Sequence, residues 1–405
     1  MIVKIKPSPL CGSVSAPPSK SMAHRLLISA GLSDGVSVVR GVSPSEDVLA
    51  TIDCLAALGV VCTYDGRDVT VHGASPEKMT VGATLPCREC GSTLRFFIPI
   101  CLLLGRRAAL SGSERLLMRP LSVYENLCRE RGFEYSNDGK NIIVRGKLES
   151  GEYRLRGDVS SQFVSGLLFA LPTLGGDSRV TLTGRVESRP YIDMTIGALK
   201  KFGVCAEWEN ENTIYVRGDQ KYTPADVTVE GDWSNAAFFL ALNIVGGNIN
   251  VTGLDDDSSQ GDKICIEYLK KLAVGAPTLS LSDCPDLGPI MFAAAAEKHG
   301  ATFTETSRLR AKESDRVASM TEELMKFGAE FEITGDTVTV KKTALRAPTE
   351  TLSSHSDHRV AMALSVLMTK YGGTLDGAEA VKKSMPDFYE RLAPLGAEIE
   401  KYEDK

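Results

Sequence analysis

The sequence predicts an α/β (α+β) protein of two halves, each built from three βαβ-type units with apolar helices buried at its centre. Three observations carry this. A helix that stops at a glycine and gives way to a short strand, a turn and a second strand recurs along the chain. Each unit holds a further helix that is apolar on all sides and so belongs in a core. Strand and helix patterns alternate from one end to the other, as expected where strands pair through helical crossovers.

The stopping glycines are Gly59, Gly132, Gly203, Gly328 and Gly396. They recur about every 70 residues, too long for a solenoid repeat, with one doubled interval between Gly203 and Gly328. Inside that interval Tyr268-Leu269-Lys270-Lys271-Leu272-Ala273 ends a helix with no glycine or hairpin after it, a degenerate sixth copy. The copy at Leu392 to Gly396 is expected to be cut short by the C-terminus.

In the first unit Ser43-Pro44-Ser45-Glu46 reads as a capping box with proline at the first helical position. Val48, Leu49, Ile52, Leu55 and Ala56 then share one helix face, and the hairpin Val60 to Val71 turns at Asp65-Gly66. Similar turns fall at Asp138-Gly139 and Gly335-Asp336. The apolar helices include Phe163 to Leu171, Ala236 to Ile244 and Val360 to Met368. Pro17-Pro18 and the stretch from Gly218 to Gly231 are the expected crossings between halves. Val3 to Lys6 precedes the first crossing and is assigned to the C-terminal half. The expected domains are therefore 1–15 with 230–405, and 16–229.

The 46 basic and 52 acidic residues give a net charge of −6, which argues against a nucleic-acid or lipid-surface binder. Anion binding must then be local. The N-terminal residues hold no apolar run of signal-peptide length and no later stretch suits a membrane span, so a cytoplasmic protein is expected. Ten irregularly spaced cysteines read as reduced thiols. Cys87-x-x-Cys90 has neither a second pair nor a nearby histidine, so no metal site is expected.

Polar clusters fall at the starts of the apolar helices. Ser19-Lys20-Ser21-Met22-Ala23-His24-Arg25, Glu89-Cys90-Gly91-Ser92-Thr93-Leu94-Arg95, Ser160-Ser161-Gln162, Asp232-Trp233-Ser234 and Asp357-His358-Arg359 each lead into one. Free N–H groups and the positive dipole end make such starts anion sites. Serine and aspartate there serve equally as N-caps. Caps do not explain Lys20, Arg95 and Arg359, which oppose the dipole unless an anion is bound, so phosphate or carboxylate is the expected cargo. Three further clusters stand out. Lys312-Glu313-Ser314-Asp315-Arg316 reads alone as a solvated face. Asp286 sits among apolar sequence neighbours, where a carboxylate suits a general base or an N-cap. Lys382-Lys383 reads alone as a surface pair.

Taken as a set, Lys20-Ser21-x-x-x-Arg25, Ser160-Ser161-Gln162, Pro190-Tyr191-Ile192-Asp193, Lys312-Glu313-x-Asp315-Arg316, Asp357-His358-Arg359 and Lys383-Ser384-x-Pro386-Asp387 resemble the EPSP synthases of the enolpyruvyl transferase family, in order and over essentially the whole chain. The resemblance implies two domains, each of three βαβαββ units about a pseudo-threefold axis, with the active site in the cleft between them. It implies transfer of the enolpyruvyl (carboxyvinyl) group of phosphoenolpyruvate to the 5-hydroxyl of shikimate 3-phosphate, through a tetrahedral intermediate that loses phosphate, on the route to chorismate and the aromatic amino acids. By resemblance Asp286 is the base on the hydroxyl, Glu313 the acid that protonates the methylene, and Lys20 lies near both transfers. Gly91, Arg119, Gln162, Arg316, Arg359 and Lys383 join Lys20 around phosphoenolpyruvate. Ser21, Arg25, Ser160, Ser161, Gln162, Ser188, Tyr191, Asp286 and Lys312, again with Lys20, bind shikimate 3-phosphate. Gly91 matches the glycine that admits the inhibitor glyphosate. No metal or organic cofactor is implied, the partners are the two small substrates, and a monomer is expected. Glu89 and Arg308 stand where many members carry asparagine, so no role is carried to either.

The nearest rival, the transferase that uses UDP-N-acetylglucosamine, has Lys-Asn where this chain has Lys20-Ser21 and lacks the Ser-Ser-Gln and Asp-His-Arg motifs. An RNA 3′-phosphate cyclase would be more basic. A catalytically dead anion binder would have no use for Asp286 and Glu313.

Overall fold

A computed structural model describes residues 1–80, 84–186 and 188–402. The chain divides into two compact units, one of residues 18–230 and one of residues 1–17 with 231–405.

The 18–230 unit carries three four-stranded sheets of one design. Each has a parallel pair followed by an antiparallel hairpin: Glu152–Arg156, Ser178–Thr183, Thr213–Val216 and Ala206–Trp208 in the third, and Leu85–Pro86, Ala108–Ser111, Asn141–Arg145 and Glu134–Asn137 in the second. Parallel strands cannot be joined by a tight turn, so each pair needs a crossover. Ser161–Ala170 and Gly91–Leu103 are those crossover helices, and they pack on one another. In the first sheet Gly35–Arg40 pairs with Asp226–Thr228, so the last strand of the unit opens its first sheet and the chain closes on itself.

The other unit repeats the design with two variations. Thr278–Ser280, Ala301–Thr304, Thr337–Lys341 and Glu330–Thr334 form one complete sheet. Its central helices Trp233–Ala241, Gly288–Glu297 and His358–Tyr371 pack together and are apolar almost throughout. The copy ending at Gly396 is not cut short: Glu398–Tyr402 follows, and Ile2–Lys6 from the other end of the chain is its antiparallel partner. The degenerate copy leaves a two-stranded sheet, Cys11–Ser15 parallel to Asn248–Thr252.

Backbone geometry explains the degenerate copy. Gly59, Gly132, Gly203, Gly328 and Gly396 have φ of 87°, 68°, 76°, 91° and 104°, the left-handed state in which a helix ends and reverses into a strand. A glycine does follow the sixth helix, contrary to expectation. Gly275 ends Cys265–Val274 but with φ of −173°, extended, so the chain runs straight on into the next sheet and no hairpin forms. The first capping box is also displaced. Ser45, not Ser43, caps the helix Glu46–Ala57, its Oγ accepting from Val48 N at 3.4 Å.

Candidate active site

Within the 18–230 unit the polar clusters do sit at helix starts. Ser19 caps Lys20–Gly31, and Ser160 caps Ser161–Ala170 by accepting from Gln162 N at 3.3 Å. The start of Gly91–Leu103 is capped by a thiol, Cys90 Sγ accepting from Thr93 N at 3.4 Å.

Three groupings result. Lys20 Nζ donates to Asp47 Oδ2 at 2.7 Å, an acid on the neighbouring helix. Arg25, 2% exposed, donates from Nη1 to the Ser21 carbonyl at 2.6 Å, from Nη2 to the Tyr191 carbonyl at 2.9 Å and from Nε to Thr195 Oγ1 at 2.8 Å. Burial brings its pKa down to about 10. These bonds bring Ser21, Arg25 and Tyr191 together and leave two of the five guanidinium hydrogens for other acceptors. Buried Ser188 stands beside Tyr191, in a left-handed conformation at φ 55° where the helix Arg189–Lys201 begins. Ser160 and Ser161 stand one helix away.

In the third grouping Gln162 Oε1 accepts from Arg95 Nη1 at 2.6 Å, while its Nε2 donates to Ser92 Oγ at 2.8 Å. A Cβ on Gly91 would lie 2.8 Å from Arg119 Nη1 and 3.2 Å from Arg95 Nη1. Two guanidinium groups thus converge on a position that only glycine leaves open, and the Gln162 amide holds one of them. Arg95 is held over the Phe163 ring at 5.1 Å and by its Nη2 bond to the Pro120 carbonyl at 3.2 Å. Arg95 belongs to this cluster, although the motif comparison gave it no place.

In the 231–405 unit one guanidinium organises the cluster. Arg316, 1% exposed, donates from Nη1 to Asp286 Oδ1 at 2.8 Å, from Nη2 to Glu313 Oε2 at 2.7 Å and from Nε to Asp357 Oδ2 at 2.9 Å. Burial works against that charge, but Asp357, Glu313 and Asp286 outweigh it and raise the Arg316 pKa. The same balance lowers Asp357: burial opposes its charge, and Arg316 more than offsets the penalty. Lys312 Nζ and Arg359 Nη2 also reach Asp286, at 3.2 and 3.1 Å. Arg359 Nη1 donates to Ser234 Oγ at 2.7 Å, and Lys383 Nζ to the Ser356 carbonyl at 3.0 Å, beside Asp357. Burial depresses Lys312 to about 8, opposed by Asp286 and reinforced by Arg316 and Arg308.

Two expectations are corrected here. Lys312 to Arg316 is no solvated face, because Arg316 is the buried hub of the unit. Asp286 is not in apolar surroundings and caps no helix: it is the middle residue of the short 3-10 turn Pro285–Leu287 and is met by three cations.

The family model for EPSP synthase (3-phosphoshikimate 1-carboxyvinyltransferase) matches residues 4–278 and 276–392. The chain belongs to the EPSP synthase family. Curated EPSP synthase relatives named 3-phosphoshikimate 1-carboxyvinyltransferase include those of Clostridium kluyveri, 40% identical over 99% of this chain and 98% of that protein, and of Clostridium novyi, 39% identical over 99% and 98%. A solved EPSP synthase from Acinetobacter baumannii shares the fold with a TM-score of 0.81 at 23% identity, over 99% of this chain and all of that one. The fold is therefore the two-domain enolpyruvyl transferase fold.

Proposed function

We infer that this chain transfers the enolpyruvyl group of phosphoenolpyruvate to the 5-hydroxyl of shikimate 3-phosphate and releases phosphate. One observation carries the chemistry. Asp286 and Glu313, a base and an acid, lie on adjacent nitrogens of the single Arg316 guanidinium, so both proton-transfer groups are held by one rigid fork.

In this reading residues of both clusters take part in one reaction. Phosphoenolpyruvate carboxylate takes guanidinium hydrogens of Arg316 and Arg359, which frees Asp286 and Glu313 toward the reacting atoms. Asp286 accepts the proton of the 5-hydroxyl as its oxygen attacks carbon 2, and Glu313 delivers a proton to carbon 3. As the tetrahedral intermediate collapses, carbon 3 returns a proton to Glu313, the double bond to carbon 2 re-forms, and the phosphate whose C–O bond breaks passes to Lys20, Arg119, Gln162 and Lys383. Ser21, Arg25, Ser160, Ser161, Ser188 and Tyr191 hold shikimate 3-phosphate, and Lys312 a ring hydroxyl. Preorganised charge supplies most of the acceleration in such a site. No helix of the described residues is long and apolar enough to cross a membrane, and we read the protein as a cytoplasmic monomer.

The assay is phosphate release from phosphoenolpyruvate. Turnover with shikimate 3-phosphate and none with UDP-N-acetylglucosamine is expected; the reverse pattern would assign the chain to the sister reaction.

Two further outcomes follow from the geometry. Gly91→Ala places a methyl group against Arg119 and Arg95, while alanine suits the helix. The KM for phosphoenolpyruvate should rise several-fold and glyphosate should bind more weakly, with the melting temperature preserved; unchanged KM would remove Gly91 from the pocket. Lys312 is charged below pH ~8 and neutral above it, because its folded pKa lies below the free lysine value of 10.5. The KM for shikimate 3-phosphate should therefore climb as pH passes through about 8. In Lys312→Arg, which stays charged, that climb should disappear.

A further inference from the structure

His24, Asp47 and Cys90 come from three different parts of the 18–230 unit, yet one ligand-capable atom of each lies within 4.8 Å of the others. His24 and Cys90 are each 1% exposed and Asp47 is 8% exposed. Cys90 Sγ is 3.9 Å from His24 Nε2. The other imidazole nitrogen, Nδ1, is 2.7 Å from Thr51 Oγ1, which is itself 2.8 Å from Thr93 Oγ1. That hydroxyl pair fixes the ring and turns Nε2 toward the thiol, the outer-shell arrangement that orients a metal-binding histidine.

A nitrogen, a carboxylate oxygen and a sulfur form the mixed donor set that suits zinc-class ions. Around a tetrahedral zinc, ligand atoms lie ~3.5 Å apart, given bonds of about 2.0–2.3 Å. No pair of these atoms needs to close by more than about 1.3 Å, the excess of 4.8 Å over that spacing. Solvent reaches them along the Lys20–Asp47 pair, whose side chains are 14% and 12% exposed.

We propose that His24 Nε2, Asp47 and Cys90 Sγ form an inhibitory site for a divalent cation of the zinc class. On binding, the Cys90 thiol releases its proton to solvent and its sulfur lone pair goes to the ion; no electron is transferred. The ion takes Asp47 from Lys20 and sets a second positive charge beside that ammonium. Inhibition rests on the placement of Lys20 at phosphoenolpyruvate; binding does not. The other grouping of potential ligands among the described residues, Glu322, Glu323 and His355, contains no thiol, and Glu323 is already bonded to Lys326, His355 and the Ser353 N–H.

The test uses the full chain freed of metal with a chelator and titrated with cobalt(II), then zinc(II). Cobalt should bind with a thiolate-to-metal charge-transfer band in the near ultraviolet. That band should vanish in Cys90→Ser, where serine keeps the helix cap, and in His24→Gln. Zinc should abolish phosphate release, reversibly with EDTA, and Cys90→Ser should escape this loss. A wild-type chain without the band, or the same band in Cys90→Ser, overturns the site. Full turnover with zinc bound overturns the inhibition. If the chain lacks enolpyruvyl transfer, the absorption titration still decides the site by itself.

Discussion

Replacing Asp286 by asparagine should lower kcat by ~10²–10⁴, the usual contribution of a positioned general base, while substrate binding survives. The environment separates the two effects. Asp286 faces Lys312, Arg316 and Arg359, and its negative charge now occupies cations that a substrate carboxylate would use. Asparagine keeps an oxygen for Arg316 but withdraws the charge, so phosphoenolpyruvate should bind as tightly as before or more tightly. Steady-state kinetics with direct titration of each substrate checks both halves. A variant at full turnover would take Asp286 out of the proton transfer. Weakened binding with intact kcat would make it a binding residue only.

Arg316→Met should produce the largest loss of stability. The guanidinium is 1% exposed and Asp357 is fully buried, so methionine leaves one buried carboxylate, and two partly buried ones, without their shared cation. Removing one partner of a buried pair typically costs ~3–5 kcal/mol. In a domain of this size that lowers the melting temperature on the order of 10 °C. Arg316→Lys keeps the charge but loses the three-way fork, and should fall between the two. Calorimetry on the three proteins gives the order. Equal melting temperatures for wild type and methionine would mean that Asp357 finds another partner and that Arg316 is not the hub.

The elements legible in the sequence are those set by local rules. Helix starts at Lys20, Gly91, Ser161 and His358 were readable because a cap, small residues and an apolar run occupy one short stretch. The stopping glycines were readable because only glycine takes the left-handed turn cheaply. Gly275 escaped because the helix runs one residue beyond Ala273, to Val274, before it meets the glycine. Partners supplied by packing were out of reach. Asp286 has apolar neighbours along the chain, but its cations come from Lys312, Arg316 and Arg359 on other elements. Asp47 lies 27 residues from Lys20, and His24 is 66 residues from Cys90, so neither pair leaves a spacing to find. Arg95 was visible as a cation opposing its helix dipole. Its bond to Gln162 on another helix was not.

The pairing of Ile2–Lys6 with Glu398–Tyr402 also sets an order of events during synthesis. Ile2–Lys6 leaves the ribosome long before its partner and must wait, unpaired on this side, until Glu398–Tyr402 has followed it. Residues 18–230, by contrast, hold every strand of their three sheets once Thr228 has emerged. The inserted unit can therefore mature while the surrounding one is still open, and the nascent chain carries the Ile2–Lys6 strand as a bystander until Glu398–Tyr402 arrives to use it.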